Sequence, residues 1–586
     1  MMFHRAPDGI PTTVARRSLL PILLLACAAV PTAHAATRPA ERARHAMVAG
    51  PEPLAVAEGL AVLREGGNAI DAAVTISFAL AVTQPEAGNI GGGGYMLIRT
   101  ADGAANVVDY REVAPAAATA DMYLDERGVP RPGESLDTYK AVAVPGSVAG
   151  LAMALERYGT IPLPRALEPA IRLARGGFVV DRRLAEALES SSRRLARYPA
   201  TRAVFFDGAR PLREGARLVQ PDLAATLETV ARAGPDAFYR EDLAATLEND
   251  MRNHHGLITR QDLAGYRPVI RPAIRGTYRA HTILSVPPSS SGGVALIQIL
   301  NMLEPFDLAS LGHNSSAYIH HVAEAMKRAF ADRARWLGDP EFVDVPVDSM
   351  ISPPYAGVLM RSFHPHRATS AAAAGPGNPL VQESDSTTHY SVIDSSGNVV
   401  SNTTTLNASF GCGAVATGLG YFLNNEMDDF SSKPDTPNLY GLVGGAANSI
   451  APRKRMLSSM TPTIVLSRSG EGTGGNASSP YLVVGTPGGA TIITSVLQTI
   501  LNVLDFGMEL QAAVNAPHFH HQWSPDRIVL ERGGFARDVL DALSTRGHEI
   551  QEGGERGDLQ AILVDAESGW IHGASDARGG GQSRGY

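Results

Sequence analysis

Thr387-Thr388-His389-Tyr390 opens a run of strand-like residues, and a second cluster, Thr403-Thr404-Thr405, follows a turn signal at Ser395-Ser396-Gly397-Asn398. Threonine is an ordinary strand residue, so taken alone this is a threonine-rich hairpin. The pattern also admits a chemistry. A threonine that becomes a chain N-terminus carries its own general base, the α-amine, beside its hydroxyl nucleophile. That amine has an ordinary pKa of about 7.7–8.0, close to the pH at which a general base works best. A turn centred between Ser396 and Gly397 sets Thr388 opposite Thr405, with Thr387 one diagonal step away. Cβ atoms so related lie within roughly 5–8 Å, which brings the Thr405 hydroxyl within reach of Thr387.

Other polar groups punctuate the sequence. Leu423 to Phe430 carries Glu426, Asp428 and Asp429 in an apolar, amide-rich stretch. It reads as a metal loop, an ammonium pocket or a solvated turn, although it lacks the glycine and alternating oxygen ligands of hard-cation loops. Ser458 and Ser459 precede a strand, and Gly485-Thr486-Pro487-Gly488-Gly489-Ala490 is a strand-to-helix turn whose backbone N–H groups can cradle an oxyanion. Gly91 to Gly94 leads into a strand instead of a helix, which favours close backbone packing over a phosphate loop. His518, His520 and His521 lack thiolates or carboxylates at ligand spacing and read as core residues or as supports behind a site. Gly581 to Gly585 has the spacing of a nucleophile elbow, but no helix follows it.

The elements that must position these groups follow from periodicity. Ala55 to Gln84 has helical spacing, broken by a turn at Gly66-Gly67-Asn68. Tyr95 to Arg99 and Asn106 to Tyr110 read as strands, the second ending in Arg111-Glu112. Residues 145–311 are mostly helical, with starts at Pro221-Asp222 and Pro235-Asp236 and a strand at Thr282 to Val286. Beyond the small-residue stretch Ser370 to Pro379, strands are expected at Tyr390–Ile393, Val399–Asn402, Thr463–Leu466 and Tyr481–Val484. Ser370 to Pro379 cannot bury much area and is expected to be mobile, as is the Ser/Gly-rich connection from Ser467 to Pro480.

The composition, 44% hydrophobic and 19% charged over 586 residues, is that of a soluble globular protein. A net charge of −8 supplies no basic footprint for nucleic acid. Residues 1–35 form an export signal: Arg16-Arg17, an apolar run from Leu19 to Val30 too short to span a bilayer, and an Ala33-His34-Ala35 cleavage site. The expected location is periplasmic or secreted. Twin-arginine export and lipid anchoring at Cys27 stay open. After removal of the signal only Cys412 remains, so no intramolecular disulfide forms.

Together these segments closely resemble γ-glutamyltranspeptidase, an N-terminal-nucleophile hydrolase family, over essentially the whole mature chain. The resemblance rests on Thr387-Thr388-His389-Tyr390-Ser391, Leu423 to Phe430, Tyr440-Gly441-Leu442-Val443-Gly444-Gly445, Arg453 to Met460 and Phe519-His520-His521-Gln522-Trp523. It implies that the chain cuts itself between Ser386 and Thr387, giving a large subunit (36–386) and a small one (387–586) folded together. Thr387 would then be the nucleophile and Thr405 the hydroxyl that orients it. The resemblance assigns Arg111, assisted by Ser458 and Ser459, to the donor α-carboxylate, and Asn407, Glu426 and Asp429 to its α-ammonium. Gly488 and Gly489 would stabilise the oxyanion, and Tyr440 would close as a lid. Implied partners are glutathione and other γ-glutamyl compounds, with water, amino acids or peptides as acceptors. No metal or organic cofactor is implied.

The implied fold is an α+β four-layer αββα sandwich. A cephalosporin (glutaryl) acylase or a poly-γ-glutamate depolymerase on the same scaffold is the alternative, and a non-catalytic glutamyl-binding protein is a further one. Glutaryl groups lack the α-amine, so an anionic Glu426/Asp429 pair argues for glutamyl substrates. A lid at Tyr440 argues against a long polymer.

Overall fold

The computed structural model describes residues 38–375, 387–431, 433, 444–467 and 479–586. The expected leader, Ser386, Tyr440 and residues 376–379 and 468–478 of the two small-residue connections lie outside the described residues.

Two seven-stranded antiparallel sheets stack face to face. The first runs, edge to edge, Gln582–Gly585, Met47–Gly50, Thr387–Ile393, Val399–Thr405, Gly93–Arg99, Ala105–Asp109 and Val269–Pro272. The second runs Glu41–Ala43, Ile571–Ser575, Gln560–Val564, Pro480–Gly485, Thr463–Leu466, His281–Ser285 and Ile274–Tyr278. Successive side chains on a strand point to opposite faces, and here both faces are covered. Met47, Ala49, Leu97 and Val107 meet Leu284, Ile464, Val483 and Ile562 between the sheets. Their neighbours Val48, Met96, Ile98 and Val108 pack outward on the helices Pro53–Arg64 and Ala69–Thr83. On the far side Ile283, Val465, Leu482 and Val484 pack on Gly292–Leu303, Ser316–Trp336 and Thr491–Leu504. The result is the expected four-layer αββα sandwich.

Local signals explain the elements near Thr387. The turn at Gly66-Gly67-Asn68 divides the helical run as anticipated. Asn68 Oδ1 accepts the N–H groups of Ile70 and Asp71, and Asp71 Oδ2 accepts that of Asn68 at 2.8 Å, a reciprocal capping box. Every residue of Ala69–Thr83 is buried, so this helix is a core layer. Gly91 to Gly94 owe their identity to close approach. A Cβ at Gly92 would lie 2.1 Å from the Thr405 carbonyl oxygen and one at Gly94 2.3 Å from that of Thr403. The glycine-rich C-terminus forms an edge strand on Met47–Gly50, and the Tyr586 carbonyl accepts the His45 N–H at 2.7 Å.

The hairpin register differs from the expected one by a single residue. Thr387 pairs directly with Thr405, and Thr388 with Thr404. The turn places Asp394, whose Oδ1 accepts the N–H groups of Ser396 and Asn398, so that the loop is one residue tighter than a turn centred after Ser396. The shift improves the expected geometry, since the two hydroxyls now face each other across the ladder.

Candidate active site

Thr387 begins its strand at a place where the sheet is open on one side. Pairing with Met47–Gly50 starts only at Ser391, opposite Ala49, so among the described residues the start of the strand has a strand neighbour on the Thr405 side alone. Thr387 Oγ1 lies 3.5 Å from Thr405 Oγ1, at the limit of a hydrogen bond. Thr405 Oγ1 in turn accepts the Asn407 N–H at 2.8 Å. The neighbouring hydroxyl is engaged elsewhere, since Thr388 Oγ1 donates to Gln84 Oε1 at 2.8 Å. His389 supplies no base to Thr387 either. Its two ring nitrogens meet Thr403 Oγ1 and Ser391 Oγ, and burial pushes the imidazole down to about 3, so it is neutral. Thr387 therefore receives no base from the neighbouring imidazole, which is the situation an α-amine would remedy if Thr387 acts as a nucleophile.

Gly488 and Gly489 sit between the strand Pro480–Gly485 and the helix Thr491–Leu504 with φ of 131° and 53°, conformations that suit glycine. Their carbonyls cap the helix start through the Thr491 and Ile492 N–H groups. Their own N–H groups donate to no acceptor among the described residues. Gly488 and Thr387 share the wall of one cavity. A free amide on the same cavity wall as Thr387 is what an oxyanion formed there would require.

The other sequence-predicted residues gather behind Thr405. Asn407 Nδ2 donates to the Asn425 carbonyl at 3.0 Å, and Asn425 N–H to that of Leu406, which stitches the threonine strand to the Glu426–Asp429 turn. Arg111 lies fully buried against that turn. Its Nη1 is 2.7 Å from Glu426 Oε2 and 3.4 Å from Glu112 Oε2, and its Nη2 contacts Asp429 Oδ2. Groups assigned to opposite ends of a donor hold each other here. Burial raises the Glu426 and Asp429 carboxyls against the opposing pull of Arg111, and it takes Glu112 up to about 7. Three carboxyls around one guanidinium leave the cluster short of positive charge, which a ligand ammonium would supply.

Ser459 Oγ accepts from Arg333 Nη2 at 3.2 Å, while Arg333 Nε donates to Ser291 Oγ. Burial lowers Arg333 to about 10, opposed by Asp429. Ser458 Oγ accepts the Met460 N–H, and Asn448 links the Asp429 carbonyl to the Leu457 N–H. The structure thus brings together Thr387, Thr405, Asn407, Arg111, Glu426, Asp429, Ser458, Ser459, Gly488 and Gly489. Glu112 and Arg333 belong to the same network and went unassigned in the sequence. Glu112 adjoins Arg111 and was visible there, whereas Arg333 lies on a long helix with no local signal.

His518, His520 and His521 are core residues as expected; His520, for example, bonds Thr494 Oγ1 and Gln522 Oε1. Among the described residues one buried trio, His320, Glu324 and His548, brings three ligand atoms within 4.8 Å of one another. Its carboxylate is already neutralised by Arg328 and Lys327, which hold it near 2 despite burial, and the two rings bond each other at 2.7 Å. These interactions make it a structural cluster. Cys412 is buried, and its thiol is pushed up to about 12, so it is unreactive.

The cavity outside Thr387 also holds Asp558, pushed up to about 7 by burial, with Arg183 opposing at 3.3 Å. From about pH 4 to 7 the folded chain keeps a proton there that the unfolded chain has released, so this group makes stability fall as pH rises. Asp558→Asn should flatten that dependence by up to about 1.4 kcal/mol per pH unit. Thermal unfolding of both chains across the window checks this, and identical slopes would remove Asp558 as a titrating group.

The family model described as Gamma-glutamyltranspeptidase matches residues 55–586. The glutathione hydrolase proenzyme of Escherichia coli (strain K12) is 44% identical over 538 residues, covering 92% of this chain and 91% of that protein. The Acylase ACY 1 proenzyme of Pseudomonas sp. (strain SE83) is 41% identical over 519 residues, covering 88% of each chain. Among solved structures, the cephalosporin acylase from Bacillus halodurans superposes with a TM-score of 0.82 at 27% identity, covering 94% of this chain and 98% of that one.

Proposed function

The chain belongs to the gamma-glutamyltranspeptidase family, and from that premise we propose that it matures by cutting itself before Thr387 and then transfers γ-glutamyl groups through an ester on Thr387. The observation that carries this reading is Thr387 facing Thr405 at an open strand end, on a cavity wall shared with Gly488.

In maturation the Thr387 hydroxyl attacks the Ser386 carbonyl. The peptide C–N bond breaks as an ester forms on Oγ1, and water then hydrolyses that ester, leaving a carboxylate on Ser386 and a free amine on Thr387. In turnover this amine takes the Oγ1 proton as the oxygen attacks the γ-carbonyl of a donor such as glutathione. The Gly488 and Gly489 N–H groups stabilise the oxyanion, and the proton passes to the departing amine as the amide bond breaks. Water or an acceptor amine then attacks the glutamyl ester, giving glutamate or a new γ-glutamyl compound.

Arg111, with Ser458 and Ser459, recognises the donor α-carboxylate, and Asn407, Glu426 and Asp429 recognise its ammonium. A donor entering this site replaces part of the Arg111–carboxylate pairing with its own charges. The two products of the cut, 36–386 and 387–586, stay together because each sheet is built from strands of both. Export directed by residues 1–35 would place the mature enzyme outside the cytoplasm.

The similarity to acylases keeps a second reading in play. It separates on one substrate pair. γ-Glutamyl anilide carries the α-ammonium that the three-carboxyl cluster can receive, and glutaryl anilide does not. Leaving those buried carboxyls without a cationic partner costs a desolvation penalty, so γ-glutamyl anilide should be favoured in kcat/KM by about 100-fold or more. Anilide release measured for both decides it, and the reverse preference would establish the acylase.

A further inference from the structure

Arg453-Lys454-Arg455 has no role in the reaction above. Lys454 turns inward and bonds the Ala447 and Ser449 carbonyls. The two arginines line a second cavity of about 470 Å³, a size within the range of small-molecule sites. Thr387, Gly488, Arg111 and Glu426 are absent from its wall. The cavity backs onto the chain segment that carries Arg111. Its Tyr266 hydroxyl donates to the Arg111 carbonyl at 3.0 Å, and Asp109, beside Arg455, accepts the Arg111 N–H.

Two cationic side chains in this wall are left with capacity for a ligand. Arg455 is only 4% exposed, yet one alone of its five N–H donors has a hydrogen-bond acceptor among the described residues, the Arg267 carbonyl at 2.8 Å. Its Nε has none. The carboxylates of Asp109 and Glu341 stand off at 3.6 Å from Nε and 3.5 Å from Nη1, beyond good hydrogen bonds. Unused donors on a buried guanidinium are costly, and an oxyanion that met them bidentately would remove that cost. Arg453 is exposed and held in place by its backbone, whose N–H donates to the Ala114 carbonyl at 3.0 Å. Its side chain makes no hydrogen bond or ion pair among the described residues.

The wall has one positive charge in excess, with Arg267, Arg453 and Arg455 set against Asp262 and Glu341. Asp262 is already engaged, since it accepts the Thr259 and Ala116 N–H groups at 2.9 Å each. Val113, Val144 and Val269 give the same wall an apolar face. A single surplus charge beside apolar surface suits an anion of one charge carried on an apolar body.

We propose that this cavity binds a small organic monocarboxylate, with Arg455 and Arg453 holding the carboxylate and the three valines its apolar body. The site is separate from the Thr387 centre, and its assignment does not depend on the transfer reaction.

Isothermal titration of the mature full-length enzyme tests this with three probes: benzoate, benzamide, which keeps the body without the charge, and acetate, which keeps the charge without the body. Benzoate should bind at least about tenfold more tightly than either. Saturating L-glutamate should leave its affinity unchanged. Arg453→Glu reverses an exposed charge and should weaken benzoate at least about tenfold without changing Tm. Arg455→Lys keeps the charge, loses the planar fork and should weaken benzoate likewise. Absent benzoate binding, or equal binding of benzoate and benzamide, would overturn the site even if neither variant folds. Displacement of benzoate by L-glutamate would place the carboxylate at Arg111 and overturn it too, as would unaltered benzoate affinity in a folded Arg453→Glu chain.

Discussion

Thr387→Ala should leave the chain in one piece and without turnover. The substitution removes the hydroxyl on which the proposed cut and transfer both depend, and, with no cut, it would also deny the site its α-amine. Loss of a covalent nucleophile lowers turnover by on the order of 10⁴-fold or more. The wild type should run under denaturing conditions as two fragments, the smaller beginning at Thr387 on terminal sequencing, and the variant as one. Thr387→Ser keeps a hydroxyl on the same carbon and should still cut, more slowly. The structure sharpens this expectation, since the two nearest rival groups are occupied. Thr388 is bonded to Gln84, and His389 is neutral and held by Thr403 and Ser391. A Thr387→Ala chain that still cuts and turns over would remove Thr387 from the chemistry.

Much of this site was legible in the sequence because its signals are local. Turn residues at Ser395 to Asn398 announced the hairpin, the glycines at 91–94 announced close backbone approach, and those at 488–489 announced a strand-to-helix turn. The register was misjudged by one residue because Asp394 joins the turn through its side chain, and spacing alone does not reveal that. The layering came from the resemblance, since strands covered on both faces lose the polar alternation that would reveal a face. Long-range partners were the real gap. Arg333 reaches Ser459 across 126 positions, and Arg183 joins Glu86 to Asp558 across 97 and 375. On their own helices these arginines read as ordinary polar residues. Their roles exist only once the sheets bring distant carboxylates to them.

Arg111→Ala carries the second large effect, and it strikes stability and recognition together. Arg111 is fully buried, with Glu112, Glu426 and Asp429 around its guanidinium. Removing one partner of a buried ion pair leaves an uncompensated charge, at a cost of about 3–5 kcal/mol. Here three carboxyls lose their shared cation at once, and they will take up protons to avoid that cost. The folded variant then binds more protons than the unfolded chain, so its stability should rise as pH falls from about 7 toward 5. The gap in Tm to the wild type should accordingly narrow in acid. Donor kcat/KM should fall about 100-fold or more at every pH where the variant is folded, because protonating the carboxyls does not restore a partner for the donor α-carboxylate. Glu426→Gln on the Arg111→Ala background should recover part of the Tm at neutral pH and none of the activity. A folded Arg111→Ala chain with unchanged Tm and donor KM would show that the guanidinium neither balances these acids nor meets the donor.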